Sequence, residues 1–254
     1  MLRALAYVGV FTVVAFIFKD ILFDQILLAP KDAEFFTNEM FCRFGKWMNT
    51  DRLCLNTLVL NIQNIDLAGQ FKIHLLISFF AGLVLASPFI FMEVYRFITP
   101  ALKDNEKQHS RGMVFFTTIL FLTGILFGYY VITPLTLNFL GGYTVSDDVL
   151  NNITLKSYIR SVTSVTLSTG LAYELPILIY FLAKVGIITA DFMKRYRKHA
   201  LVVFLLLSGI ITPPDVISQF LVCIPLYILF EGSIFIAKRI ERQREARELA
   251  EDED

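Results

Sequence analysis

Residues 161–185 read SVTSVTLSTGLAYELPILIYFLAKV, a long apolar run with one carboxylate near its middle. A run of about 25 residues is long enough to cross a bilayer with some tilt. The carboxylate belongs to Glu174, more than two helical turns from either end of the run. A charged side chain at that depth costs about 2.5–3.5 kcal/mol on insertion scales, and such residues usually face a protein interior or a water-filled cavity. We therefore expect Glu174 to mark a functional site.

Glu174 also has a structural interpretation. Burial disfavours the charged form of a carboxyl, so a neutral Glu174 that donates a hydrogen bond to a neighbouring helix could hold a helix bundle together. Pro176 follows two residues later, where it removes a backbone donor and frees a carbonyl one turn back. The sequence therefore predicts a kink just past Glu174, whichever interpretation holds.

The composition is that of an integral membrane protein. Of the 254 residues, 56% are hydrophobic and 25 are phenylalanine, which is too apolar for a soluble domain of this size. Several runs exceed the 18 or so apolar residues that indicate a membrane span. The formal net charge is zero, so charge balance gives no argument for a nucleic-acid partner.

Six apolar runs predict an all-α membrane domain over residues 1–238 with six transmembrane helices, followed by a charged tail, 239–254, that is helical by propensity. The run containing Glu174 is the fourth. The other five predicted spans are about 2–23, 71–95, 113–132, 199–211 and 216–237.

Lysine and arginine counts predict the orientation of these spans. One set of connections carries thirteen of them, against seven on the opposite side. Cytoplasmic loops carry the excess of Lys and Arg, so both termini are expected in the cytoplasm. The loops predicted to be cytoplasmic are 96–111 and 188–198; those predicted to lie outside are 24–70, 133–156 and the reversal 212–215.

The fifth run, 199–211, is short for a span. About 13 residues rise roughly 20 Å, against a hydrocarbon core of about 30 Å. The paired prolines of Thr212-Pro213-Pro214-Asp215 stop the helix and predict a tight reversal within the outer leaflet. A polar tip at that depth thins the bilayer, meets water or meets a partner. A packing role and a functional role both remain open for its polar side chains, which are Thr212, Asp215, Ser218 and Gln219.

The cysteines and histidines give no sign of catalytic or metal chemistry. Cys42 and Cys54 lie in the same predicted outer loop, and an oxidising outer compartment favours a disulfide between them. Cys223, in the sixth span, is expected to be a small buried hydrophobe. No Cys/His set has metal-ligand spacing, and the sequence has no nucleotide loop or nucleophile elbow. We therefore expect no metal, no cofactor and no enzymatic activity.

Three stretches stand out, at residues 87–102, 170–176 and 212–219. They resemble the TatC family, the receptor subunit of the twin-arginine (Tat) protein translocase. The first is similar to the family's end of helix two and first cytoplasmic loop, the second to its fourth-helix motif with a buried glutamate, and the third to its reversal between short helices five and six. With the predicted topology, the resemblance covers almost the whole chain. The three stretches are SPFIFMEVYRFITPAL at 87–102 with Glu106 following, GLAYELP at 170–176 and TPPDVISQ at 212–219.

The resemblance implies a site for signal peptides that carry two consecutive arginines. Such a site needs a cytoplasmic carboxylate, because guanidinium and carboxylate pair in bidentate geometry. Glu106 matches the family's glutamate with that role, and Phe97 matches a phenylalanine that could stack on a guanidinium. Glu93, one turn before Phe97, is a candidate second carboxylate, and Pro100 is a structural residue of the motif. Without the resemblance, Glu106 reads as a solvated loop charge.

The resemblance also implies contacts with single-helix partners of the TatA and TatB types. In this interpretation Glu174 makes a polar contact with a partner helix inside the membrane, assisted by Tyr173. Thr212 and Gln219 match positions that offer polar contacts to the same partners across helices five and six. The residues expected to shape the backbone here are Pro176, Pro213, Pro214 and Asp215.

The family implies a concave bundle with short helices five and six, in the cytoplasmic (inner) membrane, as part of an oligomeric Tat complex. In the family, a cytoplasmic segment with a His-Leu-x-Glu-Leu-Arg pattern precedes helix one and helps bind the signal peptide. This sequence begins at Met1-Leu2-Arg3, and that segment is missing. Either the true start lies upstream or the receptor face is incomplete.

Other function classes remain to be weighed. A proton-coupled small-solute transporter would use Glu174 as a proton relay, although no sequence repeat relates the two halves of the chain. An intramembrane acid protease would pair Glu174 with Asp215, but the two are expected at different depths and no Gly-x-Gly-Asp pattern occurs. A purely structural membrane scaffold is the remaining class.

Overall fold

The computed structural model describes residues 2–32, 35–47, 61–98, 110–146, 151–184, 186–212 and 216–252. All six predicted apolar runs form helices there. Four continuous or nearly continuous helical segments are long and apolar enough to cross a membrane: Gly69–Phe97, Gly112–Gly142, Leu155–Lys184 and Ser218–Arg242. A fifth candidate is a pair of segments, Leu2–Ile17 and Ile21–Arg43, which are bent by 86° at a short break. The chain is thus an all-helical membrane protein with four to five candidate spans, and the count of six stays a prediction.

Ten α-helices and two short strands make up the described residues. The helices are α1 (Leu2–Ile17), α2 (Phe36–Trp47), α3 (Gly69–Ile98), α4 (Ser110–Phe127), α5 (Thr133–Gly142), α6 (Leu155–Ala172), α7 (Leu175–Lys184), α8 (Ala190–Arg195), α9 (Arg197–Ile211) and α10 (Val216–Asp252). π-Helical turns at Ile21–Leu27 and Gly128–Ile132 and a 3-10 turn at Ala29–Lys31 connect some of them. The strands are β1 (Ile62–Gln63) and β2 (Ile153–Thr154), which pair in parallel.

Helices α1 and α3 approach closely at a glycine. A Cβ atom added to Gly82 would lie 2.6 Å from the backbone nitrogen of Thr12, so only glycine allows the two backbones to come this near. The hydrophobic effect does not drive helices together within a bilayer, so membrane helices associate through van der Waals contacts, which small residues such as glycine allow at short distance. Aromatic stacking extends the contact, with Tyr7 and Phe89 rings 4.8 Å apart and Phe16 and His74 rings 4.0 Å apart.

Gly82→Ala is expected to destabilise the fold. The new methyl group meets main-chain atoms of Thr12, which cannot rotate away, so α1 must shift, at a typical cost of about 1–3 kcal/mol for overpacking. Thermal unfolding of the detergent-purified protein measures the effect. Gly9→Ala on α1 is the matched control, since an added Cβ there meets nothing within 4 Å. Equal unfolding temperatures for the two variants would contradict the close approach.

The third span is longer than predicted. Residues 133–142, expected to begin the outer loop 133–156, instead form α5 and continue the line of α4. Pro134 lies at the start of α5, and the π-helical turn before it supplies the local widening that a proline needs. The Thr133 hydroxyl donates to the carbonyl oxygen of Gly128 at 2.9 Å and secures this turn. The predicted start of the outer loop at residue 133 was therefore too early.

Helices five and six differ from each other in length. Helix α9 has 15 residues, about 22 Å, which agrees with the predicted short fifth helix. Helix α10 has 37 residues and runs through Pro225 into the charged tail, so the prediction of a short sixth helix was wrong. The tail, 239–254, is rich in Glu, Arg and Ala, which are good helix formers, and the helix continues as far as Asp252. The helical tail is confirmed over its described part.

The predicted outer loop 24–70 contains more order than expected. It includes the 12-residue helix α2 as well as the short extended piece β1 that the sequence predicted. A hydrogen bond joins the start of this segment to the helix bundle: the buried Tyr158 hydroxyl of α6 donates to the carbonyl oxygen of Leu27 at 2.9 Å. Cys42 of α2 is disulfide-bonded. Its predicted partner Cys54 lies outside the described residues, so that pairing stays a prediction.

Candidate functional site

Glu174 lies at a break between two helices. Helix α6 ends at Ala172 and α7 begins at Leu175, with Tyr173 and Glu174 forming a turn between them. The Glu174 amide donates to the Leu171 carbonyl at 3.1 Å, a tighter pattern than the α-helical one. Pro176 in the first turn of α7 has no amide hydrogen to continue the ladder. The kink therefore lies at Glu174 itself, slightly before the predicted position.

Glycines bring α6 against α4 next to this break. A Cβ added to Gly124 would lie 2.8 Å from the Cβ of Tyr173 and 2.9 Å from the Cα of Gly170. One turn further, at the start of the π-helical turn that follows α4, a Cβ on Gly128 would lie 3.0 Å from the Cα of Thr166. This small-xxx-small pattern lets the two helices pack closely beside the turn that contains Glu174.

The carboxyl of Glu174 is partly inside the protein. Its Oε1 atom is buried and has no hydrogen bond within 3.5 Å among the described residues, although the carboxyl group lies against the backbone of Phe121 on α4. A buried acceptor without a partner costs about 1–3 kcal/mol. The structural interpretation, in which a neighbouring helix satisfies this carboxyl, has the Phe121 backbone of α4 in its favour but no hydrogen bond to Oε1, so the role of Glu174 stays a prediction.

Tyr173 is mainly a packing residue. Its side chain is buried, and its ring lies 5.8 Å from that of Phe127. Together with Gly124, it forms the contact that seats the turn against α4. Its predicted assistance to a partner helix stays a prediction, since so little of the side chain is on the surface.

Thr212 and Gln219 make hydrogen bonds within the chain. The buried Thr212 hydroxyl donates to the Ser208 carbonyl at 2.8 Å, inside the last turn of α9. The Gln219 side-chain amide, on α10, donates to the Leu205 carbonyl on α9 at 2.8 Å. These two donors close the end of α9 and join it to α10. Pro213, Pro214 and Asp215 of the predicted reversal lie outside the described residues.

The end of α3 presents Phe97 and holds Glu93. The Phe97 side chain is 75% exposed, whereas Tyr95 beside it is buried, with its ring 6.3 Å from that of Phe181 on α7. Glu93 is only 12% exposed and accepts from Arg96 at 2.9 Å. Pro100 and Glu106 lie outside the described residues, so a site shared by Glu106 and Phe97 stays a prediction.

Sequence reasoning missed two sets of residues around this site. The first is the Gly124/Gly128 pair that seats α6, although its spacing of four is a known signal for close helix packing. The second is the ion pair between Arg197 and Glu231 at 2.8 Å, which joins the start of α9 to α10. Glu231 is a carboxylate in an apolar run, so the argument that found Glu174 could have found it as well.

Comparison with known proteins supports a single family. Residues 1–225 match the family model described as Sec-independent protein translocase protein (TatC). A TatC of Blattabacterium sp. subsp. Periplaneta americana is 38% identical over 230 residues, covering 89% of this chain and 86% of that protein. A TatC of Desulforapulum autotrophicum is 31% identical over 256 residues, covering 100% and 86%.

Solved structures agree with the sequence matches. A crystal structure of the twin-arginine translocase receptor TatC superimposes with a TM-score of 0.59 at 28% identity, covering 94% of this chain and 99% of that one. A second, in DDM, gives 0.61 at 30% identity, covering 93% and 99%. The resemblance inferred from three motifs is confirmed, and it favours protein translocation over small-solute transport. The chain belongs to the TatC family of Sec-independent protein translocase proteins, and it is a multi-pass membrane component of a translocase, not an enzyme.

Proposed function

We propose that this protein is the core receptor that binds twin-arginine signal peptides of folded proteins at its cytoplasmic face. It then recruits TatA- and TatB-type single-helix proteins, as part of an oligomeric Tat complex in the cytoplasmic (inner) membrane, for export driven by the proton-motive force. The observation that carries this proposal is the exposure of Phe97 at the end of α3, immediately before the loop that contains Glu106.

The end of α3 leaves the Phe97 side chain exposed, and this supports a peptide site there. A large aromatic side chain that is 75% exposed at the end of an ordered helix offers a face for an arginine or an apolar signal residue. The neighbouring contact between Tyr95 and Phe181 packs this end of α3 against α7, so Phe97 lies on a helix end that is held in place. Glu106 supplies the carboxylate from the following loop.

The partner site is argued from Glu174. A buried oxygen atom without a hydrogen-bond partner, next to a break between two membrane helices, favours a donor from another chain. A single membrane helix with a polar residue at the matching depth could provide that donor. Thr212 and Gln219 contribute by holding α9 against α10, and any direct contact they make with a partner is secondary to this.

The membrane topology belongs to the same proposal. Six membrane-embedded helices with both termini in the cytoplasm place the end of α3, the α7–α9 connection and the tail on one side, where thirteen Lys and Arg residues lie. The first and fifth helices, with 16 and 15 residues, are shorter than a full span. Local thinning of the bilayer accommodates them.

A photo-crosslinker placed at Phe97 is expected to capture a twin-arginine signal peptide in membrane vesicles. Phe71, 61% exposed near the other end of α3, is the matched control and should give no adduct. An excess of the same peptide should compete, whereas a peptide with both arginines changed to lysine should not, because the ammonium lacks the planar fork of guanidinium. Equal capture at the two positions would refute the proposed peptide site.

A further inference from the structure

Helix α8 and the adjoining turn of α10 together form a cationic surface. Charged residues of this surface lie where membrane helices end. Arg197 is the first residue of α9, and the segment Lys238 to Arg242 follows the apolar part of α10. Charges at the end of a span lie at the depth of the lipid headgroups. The surface is therefore placed where phospholipid phosphates are found.

Internal acids account for only part of this charge. Asp191 binds Lys194 at 2.9 Å, and Glu231 binds Arg197 at 2.8 Å. Glu241 is used differently, since its Oε2 accepts from the backbone amide of Ala190 at 3.4 Å and ties α10 to the start of α8. These three carboxylates are the acidic groups that the described parts of α8, α9 and the adjacent α10 turn contribute.

Arg195 and Lys238 remain without a carboxylate at ion-pair distance among the described residues. Both are exposed, and both lie near Asp191. The hydrogen bond from Lys194 and its charge lower the pKa of Asp191, and Lys238 and Arg195 lower it further. One carboxylate thus stands among three cations, which leaves a local excess of positive charge.

Aromatic side chains accompany the charges. Phe192 and Tyr196 are both exposed, with their rings 4.6 Å apart, whereas Ala190 and Met193 of the same helix are buried against the bundle. Aromatic rings beside Lys and Arg are typical of the membrane–water interface. An apolar face toward the bundle with aromatic and cationic side chains outward fits a helix lying in the headgroup layer.

We propose that α8 and the adjoining turn of α10 bind the phosphate of an anionic phospholipid, with Arg195 and Lys238 as its cationic contacts and Tyr196 beside the headgroup. Lys and Arg side chains next to a membrane are attracted to anionic lipid headgroups, so two unpaired cations give a preference for anionic over zwitterionic lipid. This site shares no residue with the candidate sites at Glu174 and Phe97, and the proposal depends on neither the signal peptide nor the partner helices.

The test measures which lipids the purified protein retains. The protein is equilibrated in mixed micelles with equal amounts of dioleoyl phosphatidylglycerol and dioleoyl phosphatidylcholine, and native mass spectrometry counts the bound copies. The wild-type chain should retain phosphatidylglycerol preferentially, and the R195Q/K238Q variant should lose this preference about fivefold or more. The K156Q/R160Q variant is the control, because it removes two exposed positive charges one turn apart at the start of α6.

Three further measurements support or overturn the proposed lipid site. The charge-preserving variant R195K/K238R should keep the preference, and its loss would point to a packing role and overturn the proposal. An equal loss in the control would reduce the effect to net charge and would also overturn it. Soluble glycerol 3-phosphate at millimolar concentration should not displace the lipid, since displacement would indicate a site for free anions. No signal peptide or export is involved, so a failed lipid site and a failed receptor function are told apart.

Discussion

Glu106→Ala is expected to abolish binding of a twin-arginine signal peptide. A guanidinium paired with a carboxylate loses both its charge partner and its two parallel hydrogen bonds when that carboxylate is removed. Hydrogen bonds to charged groups contribute roughly 1.5–3 kcal/mol each, so losing the pair lowers affinity by at least two orders of magnitude. Crosslinking of a labelled peptide to the protein in membrane vesicles measures the loss, and unchanged binding would remove Glu106 from the site.

Glu93→Ala provides the matched comparison on the same face. Glu93 is largely buried and already accepts from Arg96 at 2.9 Å, so little of its carboxylate is left for an incoming guanidinium. We therefore expect a smaller loss of peptide binding in Glu93→Ala than in Glu106→Ala. The reverse order would make Glu93 the primary carboxylate and Arg96 a residue that the peptide displaces.

Salt should distinguish the two roles of charge at this face. An exposed arginine–carboxylate contact weakens as ionic strength rises, because the Debye length falls from about 10 Å at 0.1 M to about 3 Å at 1 M. Binding to the wild-type receptor should therefore fall with salt. Apolar contacts of the peptide with the Phe97 ring should change little with salt, so the loss measures the arginine–carboxylate contact.

The sequence could predict the membrane helices because their signals are local. An apolar run of sufficient length has few alternatives in a bilayer, where backbone groups must be hydrogen-bonded internally. That argument placed the helices over 71–95 and 199–211 within a few residues of α3 and α9. It also singled out Glu174, since a carboxylate in an apolar run is visible without any knowledge of packing.

The errors arose where the outcome depends on contacts between segments. The outer loop was predicted to begin at residue 133, but the helix continues through Pro134 because a π-helical turn upstream accommodates the proline, and composition does not reveal such a turn. Thr212 and Gln219 donate to carbonyls of α9, which the sequence did not reveal, and their predicted contact with a partner stays a prediction. Sequence alone does not distinguish polar residues at a predicted reversal that bond within the chain from those that bond to another protein.

Glu174→Ala is expected to stop export while leaving membrane insertion and signal-peptide binding intact. The change removes the buried acceptor that we propose a partner helix uses, and it leaves the α4–α6 contact at Gly124 in place. Because the wild-type oxygen has no partner in the described part of the chain, its removal also relieves a desolvation cost. The variant should therefore unfold at a temperature no lower than that of the wild-type protein. Export of a reporter cargo, peptide crosslinking and thermal unfolding in detergent measure the three properties separately.

Glu174→Gln separates hydrogen bonding from ionisation. Glutamine keeps a carbonyl acceptor and an amide donor at the same position without a titratable charge. Since a carboxyl buried in the membrane is expected to act in its neutral form, this variant should retain most of the export that Glu174→Ala loses. Export lost in both variants would show that the charged carboxylate itself is required. Loss of Glu174→Ala from the membrane would instead support the structural interpretation, in which Glu174 holds the bundle together and the partner helix binds elsewhere.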